Sequence, residues 1–378
     1  MSRVRGWCPS AHRPMMSGDG LLVRVHPRLG YVSADQMRTL CDLAERYGSG
    51  MIDLTSRGNV QLRAVRAADH SALLVALIEH GLATADPRDD IPVAVTPVRR
   101  AGGLSERIGG ALYGNLAELP EMPAKLGVVV DAEAGRALAD VSGDFRFEQG
   151  ARGLMLRADG AALGWPIEGY DPRQALQDMA EWFVAHGGRA AGRMRRLLEQ
   201  VDLPDDWQVA PPVDAVAPVS PSLSDGRLGI AFGRTRAAVL RQIMDVAGAE
   251  GALVTPWRML FLQGATGALG DLAAQPDVVS DVSDPRAVMD VCPGAPFCGS
   301  SHLDTRAMAS RLTGVVDGRL HLSGCGKGCA RAGPAQFVVV GTDAGIDLVR
   351  DGRADDAPFA QALDETQLAA RLRTAMAK

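Results

Sequence analysis

The alternation of apolar and polar positions predicts the same order of elements twice along the chain. Residues 20–26 alternate as a strand does, and after Ser33, a suitable N-cap, apolar positions recur at helical spacing up to residue 46. Strands at 51–55 and 59–63 and a helix at 68–80 are expected to follow. The second half repeats this order in segments 226–232, 237–248, 252–255 and 258–262. A strand, a helix, two strands and a further helix are typical of a ferredoxin-like split βαβ unit, so we expect two copies.

Two further stretches have α/β character. Residues 125–203 combine short strands with a long helix expected at 172–198, and residues 287–348 contain a strand at 336–341. Residues 204–225 are rich in proline and lack an apolar period, which predicts an exposed and partly extended linker. We therefore expect an α+β fold with two half-repeats at 17–85 and 226–280, two α/β domains at 90–203 and 281–350, a linker at 204–225 and a helical tail at 351–378.

Composition limits the location and the partners of the protein. The chain has 378 residues and a net charge of −5, which is unfavourable for general nucleic-acid binding. It has no apolar run long enough for a membrane span, and its basic N-terminus lacks the apolar stretch of a signal peptide. We therefore expect a cytoplasmic protein without membrane or nucleic-acid partners. In such a compartment, six cysteines indicate metal binding or reactive thiols rather than disulfides.

Four of these cysteines stand in two pairs within segments rich in glycine and proline. Cys292 and Cys298 enclose five residues, and twenty-six residues further on Cys325 and Cys329 enclose three. Four thiolates are the ligand set of a [4Fe–4S] cluster. Structural zinc sites usually have gaps of two to four residues within each pair, and buried free thiols are a third possibility. The spacing favours an iron–sulfur cluster, with zinc and unligated thiols as alternatives.

The residues around the cysteines, 291–298 and 324–330, resemble the cluster motif of the sulfite and nitrite reductase haemoprotein family, and the likeness covers most of the chain. The resemblance implies two ferredoxin-like half-repeats packed with two sulfite-reductase-type α/β domains. In the siroheme members, the last cysteine of the motif bridges the cluster to the tetrapyrrole iron, and Cys329 is the matching residue. The family's Thr-x-Arg-x-x-x-Gln motif at the tetrapyrrole face matches 55–61, which contains Arg57 and Gln61.

Basic residues distinguish two branches of this family. Reductases gather four basic side chains over the open iron position, and Arg57 and Lys125 fit two of these positions. Gly127, however, stands where the reductase Lys-x-Lys motif has its second lysine. An oxygenase that binds neutral O2 does not need that charge. Segments 8–24, which begins with Cys8, and 119–131 also look like those of precorrin-3B synthases. These features favour the precorrin-3B synthase branch over a siroheme-dependent sulfite or nitrite reductase.

The resemblance also implies a reaction and its participants. The activity would be a monooxygenation, in which precorrin-3A is hydroxylated at C-20 by O2 with γ-lactone formation. The cofactors would be the [4Fe–4S] cluster and a mononuclear non-haem iron, and an external donor would supply electrons. The carboxylates of the substrate require basic and polar contacts. The candidate substrate-binding residues are Arg57, Asn59, Gln61, Arg63, Arg99, Arg100, Lys125 and Arg152. An alternative of another class is a non-catalytic iron–sulfur electron carrier or a metal-stabilised binding module.

Overall fold

The computed structural model describes residues 9–331 and 333–376, which form four five-stranded sheets. In spatial order, sheet A contains β1 (Met15–Ser17), β2 (Gly20–Val25), β5 (Val60–Val65), β4 (Met51–Leu54) and β12 (Arg234–Arg236), and sheet B contains β15 (Val278–Val279), β11 (Arg227–Ile230), β14 (Met259–Gln263), β13 (Gly251–Val254) and β3 (Tyr31–Ser33). Sheet C contains β10 (Trp165–Pro166), β9 (Gly153–Ala158), β8 (Phe145–Gly150), β7 (Val128–Asp131) and β6 (Val93–Val95), and sheet D contains β16 (Met289–Val291), β17 (Leu320–Ser323), β18 (Ala335–Thr342), β19 (Gly345–Gly352) and β20 (Ala360–Leu363). The helices of the described ranges are α1 (Ala34–Tyr47), α2 (His70–Glu79), α3 (Leu104–Leu112), α4 (Pro172–Ala185), α5 (Gly188–Ala191), α6 (Met194–Leu197), α7 (Ala237–Ala247), α8 (Thr305–Leu312) and α9 (Glu365–Met376).

Sheets A and B repeat one another and exchange an edge strand. Strands β2, β5 and β4 of sheet A occupy the places that β11, β14 and β13 occupy in sheet B. The next place in each sheet is filled from the other half, because β12 pairs with β4 and β3 pairs with β13. The turns before the two exchanged strands also correspond, since Leu29 and Phe232 have φ angles of 55° and 54°. The predicted duplication is therefore confirmed.

One apolar core joins the two half-repeats. Helices α1 and α7 pack against each other, and Leu40 and Leu62 of the first half share a buried cluster with Leu240 and Leu260 of the second. Ser33 caps α1 as predicted, because its hydroxyl accepts a hydrogen bond from the Gln36 backbone and the Gln36 side chain accepts one from the Ser33 backbone. Within the described ranges, no helix is long and apolar enough to cross a membrane.

Sheets C and D also share one topology. Strands β6, β7 and β8 are parallel, and β9 and β10 follow antiparallel. In sheet D, β16, β17 and β18 are parallel, and β19 and β20 follow antiparallel. The duplication thus extends to the α/β sheets, which the sequence pattern did not reveal. The domain bounds expected from the sequence stay a prediction.

Three details differ from the sequence-based expectations. The single helix expected at 172–198 was wrong, because Gly187 and Gly192 adopt left-handed φ angles of 92° and 74° and separate α4, α5 and α6. The tail at 351–378 contains the expected helix as α9, and it also supplies β20 to sheet D. The linker is largely exposed, but its Trp207 is buried and stacks on Trp165 at 5.0 Å between ring centroids.

A buried carboxylate, Asp53 on β4, joins the half-repeats to the cysteine-bearing part of the chain. Arg234 of β12 donates to Asp53 over 2.5 and 3.0 Å, Arg63 of β5 over 3.4 Å, and Arg306 of α8 lies 3.7 Å away. Burial alone would raise the pKa of Asp53, but the hydrogen bond from Arg234 and the three positive charges hold it below its usual value. Burial also lowers the pKa of Arg306 to about 10. We call these four residues the Asp53 network.

We expect Asp53→Ala to destabilise the protein by about 3–5 kcal/mol, because Arg234 and Arg306 would lose their buried carboxylate partner, whereas Arg63 would keep Asp19. Urea unfolding of the anaerobically purified protein measures this change. The matched control is Glu365→Ala, which removes the partner of Arg311 from an exposed ion pair at 2.8 Å and should cost less than about 1 kcal/mol. Equal losses of unfolding free energy in the two variants would contradict the role of Asp53 as the buried charge that holds these arginines.

Candidate functional site

A row of polar side chains crosses the face of sheet A that α1 and α7 do not cover. Arg24 is in register with Gln61, Gln61 with Asp53, and Asp53 with Arg234. Residues in register on neighbouring strands project from the same face, so these four side chains form one line across the sheet. The equivalent register positions in sheet B carry Arg227, Phe261, Leu253 and Tyr31. The polar centre of this row therefore exists in the first half only.

The predicted tetrapyrrole-binding motif begins in a turn that is also duplicated. The hydroxyl of Thr55 accepts hydrogen bonds from the backbone N–H groups of Arg57 and Asn59. Thr255 receives the same bonds from Trp257 and Met259. The same turn therefore presents a guanidinium group in the first half and an indole ring in the second.

Two predicted substrate residues lie just beyond this turn. Asn59 is 5% exposed, and its Nδ2 has no hydrogen-bond partner within the described ranges. A buried amide donor without a partner costs about 1–3 kcal/mol, so a ligand oxygen at this place would be stabilising. The Oε1 of Gln61 accepts two hydrogen bonds from Arg24, which fixes the orientation of the Gln61 amide.

Arg57 and the backbone of Lys125 are linked through Ser142 and Arg193, a residue that the sequence analysis missed. Arg193 donates 2.9 Å to the Ser142 hydroxyl and 2.8 Å to the backbone oxygen of Lys125, and Arg57 lies 3.4 Å from the same hydroxyl. Arg193 also pairs with Asp144 at 3.0 Å, although burial still raises the pKa of Asp144 to about 6. We call Arg57, Lys125 and Arg193 the basic corner.

The other predicted basic residues do not join this corner. Arg63 is 1% exposed and donates to Asp19, Asp53, Ser17 and the Phe297 carbonyl, so it holds the fold together instead of facing a ligand.

Arg99 donates to the backbone oxygens of Thr96 and Leu29, and burial lowers its pKa. Arg100 is exposed, and Arg152 is exposed at the β8–β9 turn. Because β7 and β8 are parallel, Lys125 before β7 and Arg152 after β8 lie at opposite ends of sheet C.

The topology of sheet D brings the two cysteine pairs together. Cys292 directly follows β16 and Cys325 follows β17, and the carboxyl ends of parallel neighbours lie at one edge of a sheet. The backbone N–H of Gly324 donates 3.2 Å to Sγ of Cys292. Cys329 lies at the surface of the chain. Its pKa is raised to about 11, mainly by desolvation of the thiol and to a smaller extent by the charges of Cys292, Cys325 and Cys298. The four thiols are thus close enough for their charges to interact.

The chemistry of this donor set fits an iron–sulfur cluster. All four cysteines are free, and a backbone N–H already points at one sulfur. In the described ranges, no three His, Cys, Asp or Glu side chains are gathered for one metal ion. A cubane does not require three side chains around one ion, because each thiolate binds a different iron. Cys8 lies outside the described residues.

The first cysteine loop is docked onto the edge of the polar row. The carbonyl of Phe297 accepts hydrogen bonds from the Ser17 hydroxyl at 2.6 Å and from Arg63 at 3.0 Å. The guanidinium of Arg234 lies 4.5 Å from the centre of the Phe297 ring. A side chain on Gly18 would meet the Pro296 carbonyl at 2.4 Å, so only glycine permits this approach. The thiols are therefore held in a fixed position relative to sheet A.

Two cavities adjoin this region. The first, of about 460 Å³, is lined by Arg24 and His26 of the polar face and by Gly127. The second, of about 410 Å³, is lined by Ser56 from the duplicated turn and by Ala330, the residue after Cys329. The second cavity is therefore bordered by the turn that begins the motif and by the chain that follows the second cysteine pair.

Comparisons with known proteins agree with this arrangement. Residues 13–80 match the model of the nitrite/sulfite reductase ferredoxin-like half domain. The chain is 30% identical to a precorrin-3B synthase from a Sinorhizobium species, over 95% of this chain and 85% of the relative. It is 22% identical to a ferredoxin–nitrite reductase from Leptolyngbya laminosa, over 93% and 81%. The structure of the Mycobacterium tuberculosis NirA protein superposes with a TM-score of 0.65 at 21% identity, over 93% and 79%. The predicted fold of half-repeats and sulfite-reductase-type domains is confirmed.

We expect Arg57→Ala to weaken the binding of a polycarboxylated tetrapyrrole about tenfold or more, because it removes a charge-assisted contact at the basic corner. Fluorescence titration with a porphyrin that carries eight carboxylates measures the affinity. Arg152→Ala is the matched control, since that exposed arginine lies at the other end of sheet C. A larger loss with Arg152→Ala than with Arg57→Ala would place the ligand elsewhere.

Proposed function

We propose that this chain, which belongs to the precorrin-3B synthase family, hydroxylates precorrin-3A at C-20. The reaction includes γ-lactone formation from the ring A acetate. One oxygen atom of O2 enters the substrate and the other leaves as water. Two electrons from an external donor and two protons complete the balance. The observation that carries this proposal is Gly127. This residue lines the first cavity, and it stands at the sequence position of the second lysine in the reductase motif. A small anion would lack that charge there, whereas O2 does not need it.

The residues of the first half supply the contacts for the macrocycle. Arg57 and Lys125 of the basic corner would contact the rim carboxylates, whereas Arg193 is already paired with Asp144. Guanidinium groups bind carboxylates with two parallel hydrogen bonds. Nδ2 of Asn59 is buried without a protein partner in the described ranges and offers a further donor. Gln61, held by Arg24, offers a polar group of fixed orientation. These contacts would orient the substrate before oxygen reacts.

Cys292, Cys298, Cys325 and Cys329 would hold the [4Fe–4S] cluster. When bound, the cluster supplies electrons singly. The N–H group of Gly324 would hydrogen-bond to the Cys292 sulfur, and such bonds tune the potential of a cluster. For the mononuclear iron, the described ranges present no set of three side chains, so we assign no step to that ion.

A siroheme-dependent reductase is the second candidate, because the likeness to the ferredoxin–nitrite reductase also covers 93% of this chain. The cofactor spectrum separates the two. Sharp siroheme bands in the purified protein would support the reductase, and a broad iron–sulfur absorbance alone would support the oxygenase. Zinc without sulfide would support the metal-stabilised binding module.

We expect aerobic incubation with precorrin-3A and a reductant to give a product heavier by one oxygen atom. With ¹⁸O2, mass spectrometry should show one ¹⁸O atom in the product, because the inserted oxygen comes from the gas. An anaerobic incubation is the control and should leave the substrate unchanged. Reduction of nitrite or sulfite without oxygen insertion would contradict the proposed activity.

We expect Cys329→Ala to lose most of the iron, the sulfide and the brown absorbance, because one of four cluster ligands is removed. Cys41→Ala is the matched control, since Cys41 is a buried thiol on α1 far from the cysteine pairs in sequence. Iron and sulfide analyses of both variants measure the result. A Cys329→Ala protein that keeps its full cluster and its activity would refute this ligand set.

A further inference from the structure

A histidine and an aspartate form a close pair in the first cavity. Nδ1 of His26 lies 2.8 Å from Oδ1 of Asp90, and the side chains are 10% and 7% exposed. Burial alone would raise the pKa of Asp90, but the hydrogen bond from His26 and the charges of His26 and His12 hold it below its usual value. Since an ionised carboxylate only accepts hydrogen bonds, Nδ1 of His26 carries the proton of this bond. Its Nε2 is then the nitrogen that can give or take a proton.

His26 shares the first cavity with Arg24 of the polar row. His26 directly follows β2 and stands two residues after Arg24. Gly127 lines the same cavity. Within the described ranges, Nδ1 makes the only hydrogen bond of the His26 ring. The cavity therefore joins the His26–Asp90 pair to the Gln61 side of the candidate site.

The walls of the cavity suit a macrocycle edge with a proton donor beside it. Its apolar part includes Ile91, Leu116, Leu126 and Phe145. Its charged and titratable groups are His12, Arg13, Arg24, His26, Arg88, Asp90 and Glu121. Arg88 is already paired with Asp86, and Arg24 with Gln61. His26 combines a fixed ring, a buried carboxylate partner and a second nitrogen without a protein partner in the described ranges.

We propose that His26, oriented by Asp90, is the acid–base residue that delivers protons to oxygen in this cavity. The inference rests on the proposed function, in which O2 takes up two electrons from the external donor and two protons. In each delivery, the N–H bond at Nε2 breaks, an O–H bond forms on the oxygen, and the ring is protonated again from solvent. Asp90 stays ionised and stabilises the imidazolium, as a carboxylate does in other acid–base pairs. Asp90 is thus a positioning residue.

The test compares His26→Ala and the parent protein in product formed per O2 consumed. Removal of a general acid usually costs about 100-fold or more in rate. We expect a loss of that size in product formation with His26→Ala, while O2 uptake continues and precorrin-3A binding stays unchanged. Added imidazole should restore product, because the truncated side chain leaves room for it beside Asp90. Asp90→Asn should reduce product less than His26→Ala does and should show a changed ¹⁵N signal of the His26 ring.

His80→Gln is the matched control, because the His80 ring is exposed and hydrogen-bonds only to the Ala76 carbonyl of its own helix within the described ranges. His80→Gln should form as much product per O2 consumed as the parent protein does. A His26→Ala protein that forms product at the parent rate refutes the acid–base role alone. Loss of precorrin-3A binding in that variant, without rescue by imidazole, assigns His26 to binding and also overturns the inference. If the parent forms no oxygenated product, the proposed function itself fails.

Discussion

The contact of Asp53 with three arginines is the interaction on which the relative placement of the parts depends. Each arginine comes from a different region: Arg63 from sheet A, Arg234 from the strand that the second half contributes, and Arg306 from the helix between the cysteine pairs. The carboxylate compensates the buried charges of Arg234 and Arg306, and it shares Arg63 with Asp19. Arg63 and Arg234 also hold Phe297, which lies next to Cys298 in the chain. The position of the cysteines relative to the polar row therefore follows from one buried negative charge.

The two halves of the molecule share a backbone but differ in chemistry. Gln61 and Asp53 on sheet A correspond to Phe261 and Leu253 on sheet B, and Arg57 corresponds to Trp257. On sheet B, the apolar residues form a small buried cluster with Val219 of the linker, and Val219, Trp257 and Met259 also border the second cavity. On sheet A, the equivalent face borders a cavity. The duplicated fold thus carries polar side chains on one of these faces and apolar side chains on the other.

Local features of the sequence were sufficient for much of the fold. The helical spacing after Ser33 corresponds to α1, which forms from neighbouring residues, whereas sheet D brings the two cysteine pairs together. The exchanged strands were missed, because three residues such as Tyr31–Ser33 carry too little periodicity to be recognised.

Features that depend on distant contacts were also missed. Arg193 stands in a basic run that looks like an ordinary helix surface, and only the fold brings it to Lys125. His26 and Asp90 are separated by 64 positions, so no spacing rule joins them. The alternation of β5 correctly places Arg63 on the face of Gln61, but its carboxylate partners are set by tertiary structure.

The strand exchange has a consequence for how the chain is made. Sheet A lacks its edge strand until Arg234–Arg236 have been synthesised, and Tyr31–Ser33 have no partner until β13 appears. The first 200 residues of the nascent chain therefore leave the ribosome with an exposed edge at β4 and a strand without a sheet. Such edges pair readily with other chains. Synthesis of the second half covers β4 first, through β12, and then provides β13 for Tyr31–Ser33, so neither half completes its sheet without the other.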